Sequence, residues 1–118
     1  MSKVVFVSVP SYGVFTKNYA ERWDVYQRFL EDLAQLHVDR PHDVFIAPSL
    51  QNYAILPYLP EHGPTYDTWK ERCRLLMCSC DEVHVLRYKL WERSVGVKDE
   101  IEHAKFLRIP VTYSVEKY

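Results

Sequence analysis

Apolar and polar positions alternate between two rhythms along the chain, and the switch between them marks out its elements. Lys3–Val9 reads KVVFVSV, β-branched and almost continuously apolar, as a strand covered on both faces is. Pro10-Ser11-Tyr12-Gly13 ends it. Asn18 then opens a helix, with Glu21 three residues on in capping-box position. Tyr19, Trp23, Tyr26, Phe29, Leu30, Leu33 and Leu36 follow at helical spacing, predicting an inward stripe, until Asp39-Arg40-Pro41-His42 breaks the pattern. Val44–Ala47 is a short second strand closed by Pro48. Residues 48–64 hold four Pro, two Tyr and one Gly, and read as a long loop, with or without a single helical turn, of the kind that forms a lid or binding loop or merely an ordered surface.

Thr65 or Thr68 caps a second helix whose apolar stripe is Trp69, Cys73, Leu76, Met77 and Cys80. Asp81-Glu82 ends it, Val83–Leu86 is a third strand, and Arg87–Ser94 a loop. A third helix runs from near Gly96 to about Leu107, and Ile109–Val115 supplies the last strand, with Pro110 near its start or at an edge. The order β-α-β-α-β-α-β, joined by right-handed crossovers, predicts an α/β fold: a Rossmann-like three-layer sandwich with a mostly parallel sheet of four to five strands. Ligands in such sheets bind beyond the carboxyl ends of the strands, here after Val9, Ala47 and Leu86.

Composition sets bounds on this picture. The 118 residues fit a single domain, 1–118, with no repeat or linker, and 47% apolar with 26% charged residues is ordinary globular usage. The formal charge of −1 argues against nucleic-acid binding through bulk charge. No apolar run approaches the roughly 18 residues of a membrane span, and the amino terminus lacks a signal-peptide pattern. The three cysteines, Cys73, Cys78 and Cys80, crowd into eight residues, which is no disulfide framework and points to a reducing cytoplasm. Their C-x4-C-x-C spacing fits no usual zinc pattern, so no metal is expected.

With three Gly in the chain, there is no G-x-G-x-x-G, no phosphate-binding P-loop and no G-x-S-x-G elbow, which excludes the commonest dinucleotide, phosphotransferase and serine-hydrolase designs. No cofactor is expected. The remaining chemistry lies in Ser94-Val95-Gly96-Val97-Lys98-Asp99-Glu100. Val97, Ile101, Ala104 and Leu107 form the helix's apolar stripe. Glu100, three after Val97 and four before Ala104, lies on or beside that stripe, while Lys98, Asp99, Glu102 and Lys105 point mostly elsewhere. An inward carboxylate must be satisfied by a partner. The amides near Gly96–Lys98 and the Ser94 hydroxyl at the helix start can hold an anion, or Ser94 can simply cap the helix.

Several segments together resemble the nucleoside 2-deoxyribosyltransferase superfamily, which includes the nucleoside 5′-monophosphate N-glycosidases: VVFVSVPSY, CDEVHVL, LWERSVGVKDEIEHAK and the final IPVTYS, in that order. The resemblance implies attack on the N-glycosidic bond of a nucleoside or nucleotide, with Glu100 at the position of the catalytic glutamate and Ser94 at that of a residue contacting the sugar or 5′-phosphate. It implies that Ser8 to Tyr12 line the base and sugar site, and that Gly96, Val97 and Lys98 contribute amides to substrate binding. Cys73 stands where the family carries an Asp on the second helix. A homodimer or larger homo-oligomer is implied by the same analogy. Two other readings of the residues remain: a nucleotide-binding module without turnover, and an interaction protein presenting Tyr53, Tyr58 and Trp91.

Overall fold

The computed structural model describes residues 2–10, 19–55, 58–60 and 65–116. Four strands form one all-parallel sheet, β1 (Val4–Ser8), β2 (Val44–Ile46), β3 (Glu82–Val85) and β4 (Val111–Tyr113), in the order β2-β1-β3-β4. The register pairs Val5 with Phe45 on one side of β1 and Ser8 with Val85 on the other. The described helices are α1 (Tyr19–Asp39), α2 (Pro48–Ile55), α3 (Tyr66–Met77) and α4 (Val95–Leu107), with a 3-10 turn at Trp91–Arg93.

The period-2 alternation of the strands sorts side chains into two cores, so the molecule is a three-layer α/β sandwich. On one face Phe6, Val83 and Val85 pack against Cys73, Met77, Val97 and Ala104 of α3 and α4. On the other, Val7, Val9 and Leu86 meet Phe29 of α1 and Leu50 of α2. Phe29 is fully buried and edge-on to Tyr88, whose hydroxyl donates to Asp32 at 2.6 Å.

Caps follow local chemistry. Thr65, in extended conformation, accepts the Thr68 amide and starts α3. Ser94 starts α4 by accepting the Val97 amide, one residue earlier than the Gly96 start read from sequence. The Asn18 cap lies outside the described residues.

Three sequence expectations need correction. Within residues 48–64, Pro48–Ile55 is an eight-residue helix rather than loop with a single turn. Pro48 opens it, because its fixed φ and missing N–H suit the first helical position, and Leu50 anchors it in the core. Trp23, Leu30 and Leu76 are exposed rather than inward, since each helix buries a narrower stripe than its apolar content allows. Asp99 does not point away: it is held between α4 and α3 by Arg74 and Lys70.

At the amino-terminal end of the sheet, Arg40 forms two parallel hydrogen bonds of 2.9 Å to Glu82, which is 3% exposed, and a third of 2.7 Å to Asp43. Thr112 donates to Glu82 at 2.6 Å, and Nδ1 of His84 lies 2.8 Å from the same hydroxyl. This network ties the end of α1 to β3 and edge strand β4, away from the cleft at the opposite end. Among the described residues, no helix is long and apolar enough to cross a membrane.

Candidate functional site

The crossover through α1 leaves β1 on one face of the sheet, and that through α4 leaves β3 on the other. A crevice therefore opens at the carboxyl ends of β1 and β3, where the direction reverses. Glu100 reaches that place from the second turn of α4. It is 6% exposed, and its Oε1 accepts a 2.6 Å hydrogen bond from the fully buried Ser8 hydroxyl at the end of β1. The Cys73 thiol of α3 lines the cleft together with this carboxyl and acts on its ionisation. As bounded by the described residues, the cleft beside it has a volume of about 140 Å³. Val9, Ser49 and Asn52 line one side, and Tyr66, Trp69, Lys70, Cys73, Gly96, Asp99 and Glu100 the rest.

Burial dominates the electrostatics of Glu100 and pushes its carboxyl up to about 7. The Ser8 hydrogen bond opposes this, neighbouring Asp99 adds to it, and the Cys73 thiol opposes it again. Burial and then the charge of Glu100 push the Cys73 thiol up to about 12, so it stays protonated. Burial would raise Asp99 as well, but the Arg74 hydrogen bond at 2.6 Å and Lys70 at 3.4 Å outweigh it and leave the carboxyl below its ordinary value. Two adjacent carboxyls on one helix are thus driven apart, one ionised and one balanced near neutrality. That separation is typical of sites that handle protons or meet an electrophile.

Ser8, Cys73, Gly96 and Glu100 converge here. Among the described residues, a Cβ built on Gly96 would meet only Ser94 Oγ, at 3.9 Å. The helix itself does not require glycine there, and the space left open belongs to the cleft. Ser94, Val97 and Lys98 are not among the described residues that line the cleft. The fully buried Ser94 hydroxyl serves the Val97 amide at 3.3 Å, Val97 sits in the core, and the Lys98 amide bonds the Ser94 carbonyl. The Val95 and Gly96 amides have no intrahelical acceptor by helix geometry. Tyr12 lies outside the described residues.

Tyr66, Trp69, Lys70, Asn52 and Asp99 escaped the sequence reading. Tyr66, Trp69, Lys70 and Cys73 recur at i, i+3, i+4 and i+7, a signal that was absorbed into the core stripe. Asn52 carries a buried Oδ1 with no partner among the described residues and belongs to the helix that was read as loop. Among the described residues, no group of three or more His, Cys, Asp or Glu could hold a metal ion.

No curated protein and no solved structure matches the chain. The model of one family, the domain of unknown function DUF1937, matches residues 3–116, a span that takes in every strand and helix described above. The chain belongs to the DUF1937 family.

Proposed function

We propose that this cleft breaks, or transfers across, an N-glycosidic bond of a nucleoside or nucleoside 5′-monophosphate, with Glu100 as nucleophile. The observation that carries the reading is the Glu100 carboxyl itself. It is buried, lines the cleft beside a residue without a side chain, and is balanced near 7. In the ionised form, a carboxylate oxygen attacks the anomeric carbon as the C–N bond breaks. The electron pair leaves with the base, which takes a proton from solvent or a cleft donor. Water or a second base then cleaves the glycosyl ester and frees the carboxylate. Tyr66 and Trp69 offer aromatic surface to a flat base. A cytoplasmic location and assembly into a homodimer or larger homo-oligomer belong to this reading.

Incubation with nucleosides and with deoxynucleoside monophosphates, followed by chromatography for released base, tests it. Release is expected to rise with pH through about 7, as Glu100 ionises, and to vanish in Glu100→Gln. Release that survives the substitution unchanged removes Glu100 from the reaction.

One observation favours a second reading, a nucleotide-binding module without turnover. With its thiol pushed up to about 12, Cys73 cannot supply a second titrating group at neutral pH. Calorimetric binding of a nucleotide with no product after prolonged incubation distinguishes the two.

A further inference from the structure

The family resemblance implies that Ser8 lines the substrate site, yet its side chain is fully buried beneath the cleft and turned to Glu100. Its backbone is fixed by the sheet. Ser8 sits opposite Val85 in the β1–β3 ladder, and its carbonyl accepts the Leu86 amide at 2.9 Å. A hydroxyl has one proton to give. At 2.6 Å from Oε1, the contact has the short length of an O–H donating to an ionised oxygen. Cys73, buried and lining the same cleft as Glu100, faces it from α3 with a weaker S–H donor.

The charged and titratable groups around the carboxyl are known from each packed element. Asp99 precedes it on α4. Tyr66 and Cys73 face it from α3, where Lys70 and Arg74 engage Asp99. From β1 it meets the uncharged Ser8 hydroxyl.

We propose that Ser8 is the positioning residue of this site: a rigid donor on the central sheet that fixes the Glu100 carboxyl and favours its ionised form, with Cys73 as a weaker second donor that trims the same balance. The proposal rests on the proposed function only for its consequence in turnover, since the carboxyl's titration can be followed without a substrate.

The experiment is a carboxyl-carbon NMR titration of protein labelled with 13C-glutamate, the Glu100 signal being assigned by its loss in Glu100→Gln. The wild-type midpoint is expected near 7. Ser8→Ala removes the strong donor and raises the midpoint by about one pH unit, roughly a tenfold gain in proton affinity. Cys73→Ser, a better donor, lowers it, and Cys73→Ala raises it. Should Ser8→Ala fail to fold, Ser8→Cys keeps a weak donor and shifts the midpoint upward by less.

An unmoved midpoint in the Ser8 variants overturns the proposal, as do Cys73→Ser and Cys73→Ala shifting it in the same direction. A merely structural role would not move the two Cys73 variants oppositely. Shifted midpoints in a protein that releases no base sustain the proposal and sink the glycosidic reading. Base release with unmoved midpoints does the reverse.

Discussion

Replacing Glu100 by Gln should make the protein more stable, and increasingly so as pH rises. The carboxyl titrates at 4.5 in the absence of burial and at about 7 in the fold. Between those values the folded state holds a proton that the unfolded chain has lost, so wild-type stability declines as pH rises through this window and levels off above it. The displacement from 4.5 to about 7 corresponds to about 3 kcal/mol, undiminished by solvent because the side chain is 6% exposed. Gln keeps the shape and an acceptor for Ser8 but carries no charge to desolvate. Urea denaturation of both proteins from pH 5 to pH 8 reads the difference. At pH 5 the offset combines packing with roughly 0.8 kcal/mol of the charge effect, because the unfolded carboxyl is already mostly ionised there, and its further growth by about 2.5 kcal/mol toward pH 8 reflects the buried charge. Asp43, Glu82 and Asp99, all held below their ordinary values, act in the opposite sense at lower pH, but they are common to both proteins and cancel. A stability difference that stays flat across this range would refute the assignment of a near-neutral buried acid.

Other consequences can be checked with the same material. Arg40→Met leaves Glu82 buried without its bidentate partner and should destabilise by about 3 kcal/mol at pH 7, part of which Glu82→Gln in the same chain restores; a loss under about 1 kcal/mol would contradict the network. Of the three free thiols, exposed Cys78 should react rapidly with a disulfide reagent at pH 8. Cys73 and Cys80, buried and pushed up to about 12 and about 11, should react only on unfolding, so a folded protein that titrates two fast thiols contradicts the burial.

The elements legible in the sequence were those whose period is unmistakable: the apolar run of β1, the stripe of α1 and the α4 stripe that turns Glu100 inward. Proline misled at position 48, where a breaker in one context is a first-turn residue in another. The partner of Glu100 was hidden for a different reason. Ser8 sits in a run so apolar that its facing cannot be read from alternation. Only the register, which sets Phe6 and Ser8 on the α3–α4 face, brings it to the carboxyl. The Arg40–Glu82 pair spans 42 residues and leaves no local signature. Asp99 was read as outward from helical phase alone, although the long side chains of Arg74 and Lys70 reach it from the neighbouring helix.

The chain of contacts from Arg40 through Glu82 and Thr112 also decides a question two residues further along β3. Glu82, clamped as an anion, takes the only hydrogen on Thr112 Oγ1, so that oxygen is left as an acceptor toward His84. The imidazole, held neutral by its burial, must therefore keep its hydrogen on Nδ1 and leave the lone pair on Nε2. An arginine at the end of the first helix thus selects the tautomer of a ring on the third strand.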